Sequence, residues 1–357
     1  MSIISKTKEL EEFCASIKRN DFITIDTEFS RETTYYPKLC LIQIASENKS
    51  VIIDTLSSEL NISVLNELLQ TENIVKVFHS AKQDLEILYQ LYNQLPKNIF
   101  DTQIAASFCG FGDSVSYESL VWDITSNRVD KSYCLSDWSL RPLMDEQIEY
   151  ALGDVTHLRQ LYLFLHNSLQ KMNRLKWAIE DINDLNKIDN FVIDPQQAWR
   201  KIKDMRGVKM NLVLKKLAAW REIKARKSNL PRNHYLHEKH LFKLYEQMPI
   251  NLEELQRINY FKNLDIITAN EIVEVIKNTL KVQSEEDLQE IHQPNYRQLN
   301  ERIVAIKALR DEKASEHNLP AKIIATTAEI KALCGGEINT RPLKGWRQEI
   351  FGKFITY

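Results

Sequence analysis

Apolar and polar positions alternate through Ile23–Phe29 (ITIDTEF) as far as Ile25, and two carboxylates, Asp26 and Glu28, then follow one residue apart. Alternation of that period predicts a strand, in which residues i and i+2 leave the same face, so both acids point into one space. Further strand patterns cover Leu39–Ser46, Val51–Asp54 and Ile74–Phe78, and helical patterns cover Glu9–Arg19, Ile62–Leu69 and Ala81–Tyr92. The link between the second and third strands is too short for a crossover helix, which predicts an antiparallel pair there. The class is α/β, a mixed sheet flanked by helices. Later, Ile148, Ala151, Leu152, Val155, Leu158 and Leu161 recur at helical spacing and mark a buried stripe.

Two more acidic positions sit in comparable contexts. In VFHSAKQDLEIL (77–88), Ser80 and Gln83 have capping-box spacing, which places Asp84 in the first helical turn, where the helix dipole favours a negative charge. A dipole-complementing surface Asp fits the same spacing, and His79 reads as a packed or capping residue. On the later helix, Tyr150 and Asp154 lie one turn apart on one edge, with Gly153 between them at a position that invites close approach. A solvated strand end and a surface Tyr–Asp pair remain open as readings of the individual pieces.

Charge divides the chain. Residues 1–190 hold 18 Lys and Arg against 28 Asp and Glu, a net of −10, whereas residues 191–357 carry +8 within an overall −2. An acidic half that handles a polyanion needs metal ions, and a basic half can hold that polyanion directly. The five cysteines are scattered with no C-x-x-C pair, which argues against a disulfide framework and a structural zinc site. No apolar run approaches the roughly 20 residues of a membrane span, and MSIISKTKELEEF lacks a signal-peptide core. A cytoplasmic protein is expected.

Taken together, Asp26-x-Glu28, Asp84 and Tyr150-x3-Asp154 resemble the DEDD exonucleases, in the subclass whose third motif carries Tyr. The stretches DTEFSRETTYYPKLCLIQIA (26–45), FDTQIAA (100–106) and DKSYCLSDWSLRPL (130–143) are similar to the ribonuclease D family, over essentially the whole chain. The resemblance implies a ribonuclease H-like exonuclease domain and 3′→5′ hydrolysis of RNA ends to nucleoside 5′-monophosphates, in tRNA 3′-end maturation. It also implies that Asp26, Glu28, Asp84 and Asp154 hold two divalent cations, with Asp26 bridging both, and that Tyr150 orients the attacking water. Four carboxylates without His or Cys make a hard-oxygen set suited to Mg²⁺ or Mn²⁺. Thr27 and Phe29 flank the acidic pair as candidate contacts to the terminal nucleotide, alongside core packing for Phe29. Lys131, Trp138 and Arg141 are candidate RNA contacts, weighed against local packing, and Asp101 reads as a turn or cap.

The second half contains a duplication. Asn-Leu-Pro occurs at 229–231 and again at 318–320, and the same offset of 89 pairs Arg221 with Arg310, Lys224 with Lys313, Ala225 with Ala314 and Leu244 with Leu333. Both copies resemble the HRDC domain, a compact helical bundle. The expected organisation is an exonuclease domain (1–175), a linker (176–194), a first HRDC-like domain (195–280), a connector (281–294) and a second HRDC-like domain (295–357). On that plan a chain cut near Asn190 keeps the whole nuclease. Between Trp199 and Arg232 the residues Arg200, Lys201, Lys203, Arg206, Lys209, Lys215, Lys216, Arg221, Lys224, Arg226, Lys227 and Arg232 face only Asp204 and Glu222. That imbalance predicts a phosphate-holding face. The expected partner is RNA in the form of 3′-extended tRNA precursors, with no membrane and no obligate protein partner. A DNA 3′→5′ exonuclease and a non-catalytic RNA-binding scaffold are the alternatives.

Overall fold

In the computed structural model, residues 2–130, 132–202, 212–286 and 296–355 are described. Strands β1 (Ser2–Ile4), β2 (Phe22–Ser30), β3 (Lys38–Ala45), β4 (Ser50–Asp54), β5 (Val75–Phe78) and β6 (Ile99–Asp101) form one sheet in the order β1-β4-β3-β2-β5-β6. The β3–β4 pair is antiparallel, as the short link requires, while β1–β4, β2–β5 and β5–β6 are parallel. The two edge strands, three residues each, are too short to show an alternation. Helices α1 (Thr7–Ile17), α2 (Leu65–Gln70), α3 (Lys82–Tyr92), α4 (Thr102–Phe108), α5 (Tyr117–Thr125), α6 (Asp145–Lys171) and α7 (Leu175–Leu185) accompany the sheet. They are followed by α8 (Leu212–Lys227), α9 (Arg232–Tyr235), α10 (Glu238–Gln247), α11 (Leu252–Arg257) and α12 (Ile266–Glu286), and then by α13 (Tyr296–His317), α14 (Ala321–Ile324), α15 (Thr327–Cys334) and α16 (Gly345–Ile350).

The chain forms two compact units rather than a row of three. One comprises residues 1–30, 39–191 and 294–357, and the other 31–38 and 192–293. In the first, Ile303, Ile306, Ile324, Ile330, Leu333, Trp346 and Phe351 share one apolar core with the sheet and its helices. The segment expected as a linker is largely helix α7, whose face is used: Trp177 stacks on Trp346 with centroids 5.3 Å apart, and Asp181 accepts two bonds from the buried Arg347. Part of the expected connector is likewise the end of α12. The second unit has its own core around Val213, Leu217, Leu241, Phe261 and Ile272.

The offset of 89 is written in the hydrogen bonds as well. Arg221 Nη1 donates to the Leu236 carbonyl at 3.1 Å, and Arg310 Nη1 to the Ala325 carbonyl at 3.2 Å. Leu230 N–H closes on Ala225, and Leu319 N–H on Ala314. Asn229 and Asn318 both adopt left-handed backbone, at φ 51° and 47°, just before their Leu-Pro. Asn tolerates that region better than most residues, and Pro cannot continue the preceding helix, so Asn-Leu-Pro is a helix-ending corner in both copies.

Candidate active site

Strand β2 carries side chains to two faces. On one, Thr24 Oγ1 donates to the Val155 carbonyl of α6 at 2.7 Å, and Asp26 and Glu28 continue that face beside Tyr150 and Asp154. One carboxylate oxygen each from Asp26, Glu28 and Asp154 lie within 4.8 Å of one another. On the other face, Thr27 Oγ1 donates to Asp84 Oδ1 at 2.5 Å from the first turn of α3. Asp84 is therefore buried, contrary to a surface role, and the four acids converge from both sides of one strand. Asp26, Glu28 and Asp154 line a cavity of about 500 Å³ whose walls include Thr27, His79, Tyr117, Cys134 and Tyr150. A second cavity, of about 600 Å³, adjoins it through Val129, Asp130 and Tyr150 and runs past Arg128 and His157.

The electrostatics follow from that crowding. Burial first, then the Asp154 charge, pushes Asp26 well above the usual carboxylate range, and burial with the Asp26 charge does the same to Asp84. Glu28 is pushed up to about 10 by burial and by Asp26, Asp154 and Asp84. Asp154 rises to about 7 through burial, opposed by a hydrogen bond from the Tyr150 hydroxyl. Burial and the Asp154 charge raise Tyr150 in turn, which keeps it a phenol rather than a phenolate. Such a set ionises together only with compensating positive charge, and its all-oxygen donors suit a hard divalent cation. Asp26, Glu28 and Asp154 thus fit a divalent metal, with Asp84 adjacent.

Several sequence expectations change. The Ser80 capping box is not formed: Ser80 is left-handed (φ 57°), and the Asp101 carboxylate accepts from Ala81 N–H at 2.8 Å while also capping α4. One buried carboxylate serves two helix starts, where a serine hydroxyl would serve one. Gly153 meets no close neighbour, since an added Cβ would find nothing within 4 Å, but its carbonyl accepts from the Tyr117 hydroxyl at 3.0 Å. Thr27 is buried and holds Asp84 while lining the same cavity as Asp26 and Glu28, and Phe29 is half-buried. Trp138 is 2% exposed and packs with Cys40, Leu41 and Ile52 while stacking on Tyr150, which makes it a support for that ring and not an RNA contact. Arg141 is committed to Asp54, through Nε at 2.8 Å and Nη2 at 2.6 Å. Lys131 lies outside the described residues.

The basic face also contracts. Arg221 is buried on the Leu236 carbonyl, Lys224 pairs with Glu271 at 2.5 Å, and Arg226 and Arg232 both bind Glu222. Near Trp199, Arg200 and Lys215 sit 5.3 and 5.2 Å from the ring, and Lys216 donates to Gln196. Arg200, Lys201, Lys216 and Lys227 are exposed; Lys203, Arg206 and Lys209 fall outside the described residues. Sequence reading missed Tyr117 and gave no role to His79, whose Nδ1 is 3.0 Å from Thr102 Oγ1 and whose buried Nε2 has no hydrogen-bond partner. The position of His79 at a strand end, immediately before the helix of Asp84, was the available signal.

Comparison with known proteins agrees with this geometry. Residues 1–170 match the family model described as 3′-5′ exonuclease, and residues 211–275 match the HRDC domain. The chain is 40% identical over 363 residues to ribonuclease D of Bartonella henselae, spanning 99% of this chain and 88% of that protein. It is 36% identical to ribonuclease D of Zymomonas mobilis, over 98% and 92% of the two chains. The crystal structure of Escherichia coli RNase D, described as an exoribonuclease involved in structured RNA processing, superposes with a TM-score of 0.87 at 28% identity, covering 99% and 96%. An acidic cleft on an exonuclease sheet, followed by an HRDC bundle and matched along its length by these relatives, places the chain in the ribonuclease D family as a 3′→5′ exoribonuclease.

Proposed function

We propose that the chain trims RNA from its 3′ end with two divalent cations held by Asp26, Glu28, Asp84 and Asp154, and that its substrates are 3′-extended tRNA precursors. The observation that carries the reading is the convergence of Asp26, Glu28 and Asp154 within 4.8 Å beside a Tyr150 hydrogen-bonded to Asp154. When bound, such ions acidify the attacking water and stabilise the leaving 3′ oxygen in an in-line displacement. Thr27 orients Asp84 by its hydroxyl. Tyr150, kept protonated, positions the water through its hydroxyl, and Tyr117 steadies the helical turn that carries Tyr150 and Asp154 by binding the Gly153 carbonyl. Trp138 holds the Tyr150 ring from below. Exposed Arg200, Lys201, Lys216 and Lys227 serve the RNA backbone, which positions a substrate without reading its sequence. Residues 296–355 are read as a second HRDC-like copy on the strength of the hydrogen bonds shared at an offset of 89.

The test is a comparison of purified protein on 3′-extended tRNA, single-stranded RNA and single-stranded DNA, with Mg²⁺, Mn²⁺ or EDTA. Stepwise loss of 3′ nucleotides from the tRNA, abolished by EDTA, is expected. Faster cleavage of DNA would move the assignment to a DNA exonuclease, and cleavage undiminished in EDTA would remove the metal ions.

A further inference from the structure

Two cavities meet at Tyr150, and an RNA end needs room on both sides of that residue. Val129, Asp130 and Tyr150 belong to the walls of each. The first, of about 500 Å³, is lined by Asp26, Glu28 and Asp154, and the second measures about 600 Å³. Each falls within the roughly 300–1,000 Å³ that encloses one small organic ligand. A 3′→5′ exonuclease places one phosphodiester at its acids, with a nucleoside on either side of it. With that group beside Tyr150, the terminal nucleoside takes one cavity and the chain upstream of it leaves through the other.

The second cavity is equipped for that chain. Its walls include the acids Asp130, Glu146 and Glu149 and the basic residues Arg128 and His157. Asp130 accepts from the Ser132 N–H at 2.9 Å and from the Ser132 hydroxyl at 2.7 Å. Burial and the nearby Arg159 hold His157 below its usual range, so Arg128 is the standing positive charge among the described lining residues. Arg128 is exposed and makes no hydrogen bond or ion pair among the described residues; its Cζ lies 5.6 Å from the ring centroid of Trp122. A second, independent observation is the exposure of that ring. Trp122 is 48% exposed, the most open of the six tryptophans, and its neighbours Leu120 and Val121 bury helix α5 without it. The same stretch of chain borders both cavities, since Tyr117 and Glu118 at the start of α5 line the first and Arg128 lines the second. An unpaired guanidinium beside an open indole is the pairing that single-stranded nucleic acid sites use, a cation for the backbone and a flat ring for a base.

We propose that Arg128 and Trp122 hold the RNA strand just upstream of the scissile bond, Arg128 taking the phosphate on the 5′ side of the penultimate nucleotide and the Trp122 ring stacking on its base. The inference rests on the reading of Asp26, Glu28 and Asp154 as the place of cleavage. Glu146 and Glu149 repel phosphate and so confine it to the Arg128 side of the cavity. Stacking of this kind tolerates any base, because every base has a π-face.

The experiment uses the full chain with Mg²⁺ and a single-stranded RNA of about ten nucleotides in three forms. One is unmodified, one carries a neutral methylphosphonate in place of the second phosphodiester from the 3′ end, and one has an abasic penultimate residue. Single-turnover removal of the first nucleotide, at subsaturating enzyme, is followed for wild type, Arg128→Ala, Arg128→Lys, Trp122→Ala and Trp122→Phe, each checked by circular dichroism. Arg128→Ala should slow the unmodified RNA by about tenfold or more; the methylphosphonate should slow wild type as much, yet slow Arg128→Ala by less than about twofold. Trp122→Ala should lose about fivefold or more on the unmodified RNA and little on the abasic one. Arg128→Lys and Trp122→Phe should keep most of the wild-type rate. Losses of equal size on modified and unmodified RNA overturn the proposal, as does a wild-type rate in both alanine variants. Should an alanine variant not fold, wild-type protein that is slowed by neither modification does so. An active Asp154→Asn instead strikes the reading of the catalytic cavity, whereas an inactive Asp154→Asn beside alanine variants at full rate strikes this inference alone.

Discussion

Trp346→Ala tests whether the nuclease core is completed from the far end of the chain. Trp346 is 2% exposed, stacks on Trp177 at 5.3 Å and 18°, meets Phe108 edge-on at 5.2 Å, and donates its indole N–H to Asp181 at 3.0 Å. Truncating a core Trp costs about 3–5 kcal/mol. Two aromatic pairs and one hydrogen bond are lost together here, and Phe108 and Trp177 cannot both collapse into the space, which places the loss near the top of that range, about 4–5 kcal/mol. For a unit of this size each kcal/mol moves the transition by about 2–4 °C, so a fall of about 10–15 °C is expected. The assay pairs scanning calorimetry with residual hydrolysis of a short single-stranded RNA after heating. Because Trp346 and the sheet share one core, activity and the calorimetric transition of that unit should fall together. If a new low-temperature transition appears while activity survives to the wild-type temperature, the C-terminal helices form a separate domain and the reasoning fails.

Asp26→Asn and Asp154→Asn each remove a negative charge at constant volume and should abolish cleavage while leaving RNA binding by filter retention largely intact. Tyr150→Phe deletes the hydroxyl that Asp154 binds and should reduce turnover by about 10²-fold, as for loss of a positioned acid–base group, with Mn²⁺ binding preserved. With EDTA, the raised Asp154 and Glu28 set a pH dependence: a carboxyl pushed up in the fold contributes stability fully present below its unfolded value near 4 and lost as pH rises through about 7 for Asp154 and about 10 for Glu28. The melting temperature of the chelated protein should therefore drop between pH 5 and 8 by more than that of Asp154→Asn, and added Mg²⁺ should restore it most at the alkaline end.

The acidic strand was legible because a period of two settles which side chains share a face, and Asp26 and Glu28 needed nothing else. The β3–β4 pairing was equally accessible, since chain length alone forbids the parallel alternative. Other features depend on partners remote in sequence. Trp346 and Arg347 read as one aromatic and one cation near a helix start; only contact with Trp177 and Asp181, some 165 residues earlier, makes them core. Residues 1–190 therefore share their interior with residues 294–357, and a cut near Asn190 would expose the apolar face that Trp346 and Phe351 cover. The basic window misled for a related reason: a count of charge ignores pairing, and Glu222 alone occupies Arg226 and Arg232. At Ser80 a sound local motif lost to Asp101, a stronger acceptor arriving from the neighbouring strand.

The shared core has a consequence for the order in which the protein is made. The strand bearing Asp26 and Glu28 and the helix bearing Asp154 are synthesised before Trp346, Phe351 and Ile355, which belong to the same apolar core. At roughly 5–20 residues per second, translation from the end of α7 to Ile355 takes on the order of 10–30 s. During that interval the nascent chain has its acidic residues but lacks Trp346, Phe351 and Ile355 from the core on which the sheet rests. A ribonuclease made within reach of the ribosome's own RNA thus completes the apolar core beneath its nuclease sheet only after α16 has been synthesised.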